Sequence, residues 1–146
     1  MSLAKPPPSQ GPKLILLVED EVHVAQALQV ILREAGYQVM WAVTGQRALE
    51  LLAQTSFDLL LADLYLPDID GLEVVRQARA QCPPVPVIVM TGYSSLSTAI
   101  AALRLGTADY LEKPFTEQEI TQAIQRVLRG GGGEPPENLP TPLLKY

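Results

Sequence analysis

The chain of 146 residues has a single cysteine, Cys82, and a single histidine, His23. One cysteine excludes a disulfide within the chain and a cluster of thiolate metal ligands. His23 has no second histidine or cysteine near it, which disfavours a metal or catalytic role. No apolar run approaches the roughly 20 residues of a membrane span, and the proline-rich N-terminus lacks the apolar core of a signal peptide. These absences predict a cytoplasmic protein with no membrane partner.

Basic residues are also scarce, since 11 Lys and Arg stand against 16 Asp and Glu and give a formal net charge of −5. An acidic balance disfavours a nucleic-acid-binding face, so we expect no direct nucleic-acid contact by this domain. The same balance suits a site built of carboxylates that needs a cation. The hydrophobic fraction of 47% is enough for one domain with a real core.

Composition divides the chain into three parts. Residues 1–12 are rich in proline and are predicted to form a disordered N-terminal arm. Residues 13–129 form the predicted domain. Residues 130–146 begin with four consecutive glycines and continue with prolines, which is typical of a linker or tail. With no strand before them and no helix after them, these glycines do not predict a phosphate-binding loop.

Within the predicted domain, five apolar strands alternate with five helices. The strands are predicted at 13–18, 38–43, 59–63, 87–90 and 109–111. This alternation predicts an α/β fold, with a parallel sheet and helices on both of its faces. The strand that ends at Asp63 shows no polar alternation, which indicates burial on both faces. In the first helix, at 22–35, the predicted buried stripe is Val24, Ala27, Leu28, Ile31 and Leu32.

Polar side chains follow four of the five strands, at the point where each strand ends. They are Glu19 with Asp20, then Asp63, Thr91 and Lys113. Taken singly, each has an ordinary explanation: acids favour the first turn of a helix, aspartate and threonine suit turns and caps, and lysine is usually a solvated charge. The carboxyl ends of parallel strands meet at one edge of a sheet, where open α/β folds place their ligand sites. The set as a whole therefore predicts a site.

The chemistry of this set points to phosphoryl transfer. Three carboxylates gathered together repel one another and need a divalent cation, and oxygen-only ligands favour Mg²⁺. Thr91 and Lys113 add a neutral donor and a positive charge, which is the pair needed to hold phosphoryl oxygens. A carboxylate can act as the nucleophile and form an aspartyl phosphate. Asp63 is the best candidate because it ends the central strand.

These residues belong to four motifs that resemble the receiver domain of response regulators in two-component signalling, of the chemotaxis-regulator-like kind. The motifs are Leu-Val-Glu-Asp-Glu at 17–21, Asp-Leu-Tyr-Leu-Pro-Asp-Ile-Asp-Gly at 63–71, Met-Thr-Gly at 90–92 and Asp-Tyr-Leu-Glu-Lys-Pro-Phe at 109–115. The resemblance covers about residues 13–129. It implies a doubly wound, flavodoxin-like sheet of strand order 2-1-3-4-5. It also implies a signalling domain, not an enzyme beyond its own phosphorylation and dephosphorylation.

The resemblance implies a role for each acid. Asp63 would accept a phosphoryl group from a sensor histidine kinase or a phosphotransfer protein. Mg²⁺ is the one cofactor implied. Asp20, Asp63 and the backbone carbonyl of Tyr65 would bind it directly, and Glu19 would bind it through water. Glu19 stands where many members of the family have aspartate, so its reach is one methylene longer.

The resemblance also implies how the signal leaves the site. Lys113 and Thr91 would contact the phosphoryl oxygens, and Thr91 with Tyr110 would form a switch pair that acts on helix four, strand five and helix five. That face would serve a homodimer, a C-terminal output domain or a separate effector. The bond between Lys113 and Pro114 is cis in the family. Tyr65 and Tyr93 are bulky for their positions, and we hypothesise that they restrict water access and slow dephosphorylation.

Four other interpretations fit the residues less well. A phosphatase of the haloacid-dehalogenase type needs a second aspartate where this chain has Tyr65, and a flavin-binding module needs a Ser, Thr and Gly-rich loop where this chain has three acids. An EF-hand loop fails because Asp68 and Asp70 lack the further acids at the required spacing. A receiver-like module that is not regulated by phosphorylation stays open as the non-catalytic alternative.

Overall fold

A computed structural model describes residues 11–93 and 95–130 of the chain. Its strands are β1 (Leu14–Val18), β2 (Gln38–Ala42), β3 (Leu59–Asp63), β4 (Val87–Thr91) and β5 (Asp109–Glu112). Its helices are α1 (Val22–Glu34), α2 (Gly45–Gln54), α3 (Gly71–Arg79), α4 (Leu96–Arg104) and α5 (Glu117–Gly130). Within these ranges no helix has both the length and the apolar character of a membrane span. The predicted arm up to residue 10 and the predicted tail from residue 131 lie outside the described residues.

The five strands pair in parallel, in the order β2-β1-β3-β4-β5. This confirms the predicted fold and puts the carboxyl ends of all five strands at one edge. The helices α1 and α5 cover one face of the sheet, and α2, α3 and α4 cover the other. Along β3, Leu60 and Ala62 pack on the three-helix side, whereas Leu59 and Leu61 pack on the two-helix side. A continuous apolar run results because both faces of the central strand are covered.

Several helix ends follow the sequence signals. Thr44 accepts a hydrogen bond from the Arg47 N–H and caps α2. Thr116 and Glu119 bond to each other's backbone N–H groups at 3.0 and 2.9 Å and form the capping box of α5. Gly36 and Gly106 follow α1 and α4 with φ of 98° and 85°, a region that favours glycine. These four helix ends therefore carry the residue types that helix termini favour.

The predicted buried stripe of α1 is partly wrong. The residues of α1 that are buried against the sheet are Ala25, Leu28 and Leu32. Val24 and Ile31 are half-buried and Ala27 is exposed. The helix has more apolar residues than the sheet can cover. Two neighbouring apolar stripes therefore run along it, and both have the helical spacing of three and four residues. The uncovered stripe lines an open apolar groove of about 560 Å³ together with His23, Lys113, Pro114 and Phe115.

Candidate functional site

The strand ends bring three carboxylates together. Glu19 and Asp20 follow β1, and Asp63 ends β3. One carboxylate oxygen of each lies within 4.8 Å of the others. Glu19 is wholly buried and Asp63 is 6% exposed, whereas Asp20 is exposed. The cluster therefore opens to solvent on the side of Asp20.

The ammonium of Lys113, which follows β5, lies within this cluster. Its Nζ donates to Asp63 Oδ2 at 2.6 Å and to the two oxygens of Glu19 at 3.0 and 2.8 Å. Its backbone N–H donates to the Thr91 carbonyl at 2.8 Å, which continues the pairing of β4 with β5. The Lys113–Pro114 bond is cis, as the resemblance implies. Four of the five predicted strand-end side chains thus meet at one point.

The pKa directions follow from burial and from this pairing. Burial raises the pKa of Glu19, and the hydrogen bond and charge of Lys113 offset this only in part. Burial alone lowers the pKa of Lys113, but hydrogen bonds with Asp63 and Glu19 outweigh it and raise that pKa. Lys113 therefore stays charged. One ammonium against three carboxylates leaves a formal charge of −2, which suits a divalent cation of the hard, oxygen-seeking kind.

The edge strand β2 holds Glu19 in place. The Glu19 N–H donates to the Ala42 carbonyl at 3.2 Å, and the Trp41 indole Nε1–H donates to the Glu19 carbonyl at 2.8 Å. Both contacts fix the backbone at the exact point where the chain leaves β1. Sequence reasoning placed Trp41 in the second strand but gave it no part in the site. Nothing in the residue spacing links it to Glu19, because the contact depends on the register of β1 with β2.

A tight loop, residues 64–70, follows Asp63. The Tyr65 N–H donates to Asp63 Oδ1 at 2.9 Å, and the Gly71 N–H donates to the Leu64 carbonyl at 2.9 Å. A Cβ at Gly71 would lie 2.4 Å from the Leu64 Cα, so only glycine lets the loop close. A cleft of about 590 Å³ runs beside the loop and is lined by Asp20, Tyr65 and other loop residues, and by Thr98 of α4.

The predicted switch pair lies on β4 and β5. The Thr91 side chain is wholly buried, and its Oγ1 accepts a hydrogen bond from the Tyr93 N–H at 3.1 Å. Because the Thr91 oxygen is the acceptor in this bond, the hydroxyl can still donate its own proton to another group. Tyr110 is 6% exposed and packs within the core beneath α2, α3 and α4. In the described conformation the ring of Tyr110 already faces inward.

Two tyrosines lie at the outer side of the site, with Tyr65 in the lining of the cleft and Tyr93 packed on Tyr65. The rings of Tyr65 and Tyr93 meet edge to face, with centroids 5.2 Å apart. They are 45% and 72% exposed, so they form an outer wall and not a sealed cover. The Tyr65 hydroxyl lies 3.4 Å from Thr98 Oγ1 of α4. His23 lies outside the carboxylate cluster, on the apolar groove beside Lys113.

The two other loop acids have structural contacts that sequence reasoning missed. Asp70 caps its own helix, since its Oδ1 accepts from the Leu72 N–H at 3.0 Å. Asp68 reaches to α2 and accepts from the N–H groups of Gly45 and Gln46 at 2.9 and 2.8 Å. The sequence Asp68-Ile69-Asp70-Gly71 indicates a helix cap at the start of α3. It gives no sign of the longer contact, because that contact spans more than 20 residues of sequence.

A response regulator receiver domain model matches residues 15–125. Together with the sheet order and the acidic edge, this shows that the chain belongs to the response regulator receiver domain family of two-component systems. Receiver domains of this family are signalling domains and not conventional enzymes.

The relatives of the chain include transcription regulators. The transcriptional regulatory protein ZraR of Escherichia coli is 38% identical over 114 residues, which are 78% of this chain and 26% of that protein. The transcriptional regulatory protein FixJ of Bradyrhizobium diazoefficiens is 32% identical over 79% of this chain and 56% of that protein. The chain therefore spans about a quarter to about half of the length of these relatives.

Solved structures agree on the fold. A CheY-like receiver domain from Methanospirillum hungatei superposes with a TM-score of 0.80 at 31% identity, over 82% of this chain and 96% of that one. The receiver domain of a sensor histidine kinase from Pseudomonas aeruginosa gives a TM-score of 0.73 at 32% identity, over 81% and 98%. The latter was solved with a magnesium ion coordinated in its active site cleft.

Proposed function

We propose that this domain accepts a phosphoryl group on Asp63 in a Mg²⁺-dependent reaction and passes the change to the face formed by α4, β5 and α5. The observation that carries the proposal is the position of the Lys113 ammonium, 2.6 Å from Asp63 within a cluster of three carboxylates. The proposed nucleophile, a positive charge and the proposed metal donors thereby lie together at the carboxyl edge of the sheet. In this reaction the domain is itself phosphorylated, and dephosphorylation ends the signal.

In the proposed step, a carboxylate oxygen of Asp63 attacks the phosphorus of a phosphohistidine. The bond from phosphorus to the imidazole nitrogen breaks, and the leaving imidazole takes up a proton. Lys113 offsets the charge on the phosphoryl oxygens, and the Thr91 hydroxyl donates a hydrogen bond to one of them. When bound, Mg²⁺ supplies further charge neutralisation. Asp20, Asp63 and the Tyr65 carbonyl would hold it.

Glu19 is proposed to act on the metal through water. Both of its carboxylate oxygens accept hydrogen bonds from Lys113, at 3.0 and 2.8 Å. The extra methylene of glutamate thus reaches the ammonium. Since Glu19 is wholly buried, its charge needs this partner.

The proposed switch is a population shift. Phosphoryl oxygens that bond to Thr91 and Lys113 favour the conformation in which they make those contacts. Because Tyr110 is already buried in the described conformation, we infer that phosphorylation stabilises the inward position of this ring instead of creating it. The Thr91 side chain lies one strand away from Tyr110, on β4 beside β5.

A sensor histidine kinase or a phosphotransfer protein is the proposed phosphodonor. The apolar groove of about 560 Å³ between α1 and the residues after β5 includes Lys113 in its lining. A protein seated there would bring its phosphohistidine beside Asp63, and burial of apolar surface would stabilise the complex. The regulators ZraR and FixJ are longer than this chain, so the proposal extends to a C-terminal output domain or a separate effector, and to a homodimer through α4, β5 and α5. It retains the cytoplasmic location and the domain limits 13–129 predicted from sequence.

Incubation with acetyl phosphate tests the proposed function directly. With Mg²⁺ the intact mass should rise by one phosphoryl group, and with a chelator it should not.

In the Asp20→Asn variant, Mg²⁺ affinity measured by titration calorimetry should fall at least about tenfold, because a charged ligand is lost. Glu21→Gln is the matched control, since Glu21 is the neighbouring exposed acid outside the cluster. An equal loss of Mg²⁺ affinity in both variants would indicate that the metal is attracted by the general negative charge of this region and that Asp20 is not a specific ligand.

Tyr93 is expected to lengthen the lifetime of the phosphorylated state. The Tyr93→Ala variant removes the ring that packs on Tyr65 and should shorten the aspartyl-phosphate half-life at least about twofold, because water reaches the site more easily. Loss of the phosphoryl group with time, followed by intact mass, measures this. Tyr93→Phe keeps the ring contact with Tyr65 and should behave as the wild type. An unaltered half-life in Tyr93→Ala contradicts the shielding hypothesis.

A further inference from the structure

The tip of the loop at residues 64–70 is fastened to a helix other than the one it leads into. The Asp68 carboxylate accepts a hydrogen bond from the Gly45 N–H at 2.9 Å on Oδ1 and from the Gln46 N–H at 2.8 Å on Oδ2. These two N–H groups belong to the first turn of α2. Both oxygens of one side chain therefore serve the start of a helix that lies more than 20 residues earlier in the sequence.

The same turn of α2 packs closely on the loop. A Cβ at Gly45 would lie 2.4 Å from Cγ1 of Ile69 and 3.2 Å from Cδ1 of Leu66. The helix must begin with glycine for the loop to lie this near. Hydrogen bonds from the Gln46 and Gly45 N–H groups lower the pKa of Asp68, which keeps its carboxylate ionised. A negative charge at the N-terminus of a helix is favourable.

The position of this loop matters to the proposed site. The loop begins directly after Asp63, and the Tyr65 N–H donates to Asp63 Oδ1 at 2.9 Å. The Tyr65 carbonyl is the proposed backbone ligand of the metal. A shift of the loop tip would therefore move one donor of the metal site and the hydrogen bond that orients another.

We propose that Asp68 is a positioning residue for metal binding: its carboxylate holds the loop tip on α2, and so fixes the Tyr65 carbonyl and the Asp63 carboxylate in place. This inference rests on the proposed function. Asp68 acts through the loop and not as a ligand, because both of its oxygens are directed to backbone N–H groups of α2. It lies outside the cluster formed by Glu19, Asp20 and Asp63.

Two matched variants separate this role from simpler effects. Asp70→Ala removes the same charge from the same loop, but it breaks only the cap of α3 on the Leu72 N–H. Thr44→Ala removes the cap of α2 on the Arg47 N–H and leaves the loop contact intact. The first controls for the loss of a nearby negative charge, and the second controls for fraying of α2.

Titration calorimetry with Mg²⁺ on the full chain is the test. Asp68→Ala should bind Mg²⁺ about tenfold more weakly than the wild type. This is the size of loss typical when a residue that orients a metal ligand, without binding the metal itself, is removed. Both controls should stay within about twofold of the wild type. Asp68→Asn keeps one acceptor oxygen and should fall between, which guards against a folding defect in the alanine variant. In the metal-free protein, the Gly45 and Gln46 amides should exchange hydrogen faster in Asp68→Ala.

The inference is overturned by wild-type affinity in Asp68→Ala, or by an equal loss in Asp70→Ala. Either result would leave the proposed function intact, since the wild type would still bind Mg²⁺ and take up a phosphoryl group from acetyl phosphate. If the wild type itself does neither, the proposed function fails and the role of Asp68 fails with it. The two failures are distinguished by which protein shows them.

Discussion

The Asp63→Asn variant is expected to take up no phosphoryl group from acetyl phosphate in the presence of Mg²⁺. A carboxamide is a poor nucleophile and cannot form the acyl phosphate, so the loss should be complete. The change is otherwise conservative. The asparagine oxygen can still accept the hydrogen bond that Asp63 Oδ1 receives from the Tyr65 N–H. Intact mass before and after incubation measures the result.

Asp58→Asn is the matched control for this experiment. Asp58 directly precedes the same strand, β3, and its Oδ2 accepts a hydrogen bond from the Leu14 N–H at 2.7 Å. It lies at the opposite edge of the sheet from the carboxylate cluster and should leave phosphoryl uptake unchanged. Uptake that persists in Asp63→Asn, or that disappears in Asp58→Asn, is incompatible with Asp63 as the phosphoacceptor.

The second large effect is expected on stability. Lys113→Met should lower the free energy of unfolding by about 3 kcal/mol in the absence of metal, because it leaves buried carboxylates without their cation. Glu19 is wholly buried and the Lys113 side chain is 20% exposed, so solvent screens the lost ion pairs only weakly. Added Mg²⁺ should restore much of the loss, since it supplies positive charge to the same acids. Urea unfolding followed by circular dichroism, with and without Mg²⁺, measures both effects.

The pH dependence of Lys113→Met has a definite sign. Burial already raises the pKa of Glu19 above its ordinary value of 4.5, and the variant removes the partner that lowers it. The folded state then binds this proton more tightly than the unfolded state. The contribution of Glu19 to stability is therefore fully present below 4.5 and is lost as the pH rises through the raised pKa of Glu19. Over that window, the variant should approach the wild type as the pH falls.

Arg126→Met is the control for a buried ion pair elsewhere. Arg126 bonds to Asp109 Oδ2 at 2.9 Å, and Asp109 is 2% exposed. This variant should also lose stability, but Mg²⁺ should not restore it, because Asp109 is not part of the cluster of three acids. Recovery of both variants by Mg²⁺ would mean that the metal acts on the whole protein and not at the site.

The sequence predicted the fold because the main signals are local. The unbroken apolar run before Asp63 indicates a central strand, and the structure buries all five residues of β3. The convergence of Glu19, Asp20 and Lys113 follows from the direction of parallel strands, without any knowledge of side-chain positions. Caps such as Thr44 are equally local, since donor and acceptor lie within three residues.

What the sequence could not predict depends on contacts between distant elements. Both stripes on α1 have helical spacing, so only the packing of the helix decides that Ala27 is exposed and Ala25 is buried. The contact of Asp68 with α2 and that of Trp41 with Glu19 each join elements more than 20 residues apart. A tyrosine side chain can adopt more than one conformation, so the residue type alone does not predict the inward position of Tyr110.

The hydrogen bond from Trp41 to the Glu19 carbonyl has a practical consequence. Trp41 is the only tryptophan of the chain, and its indole touches the backbone of a residue in the acidic cluster. Its emission therefore comes from one known place, next to the site where charge changes. The domain carries its own optical probe, and events at the cluster can be followed in real time without attaching a dye.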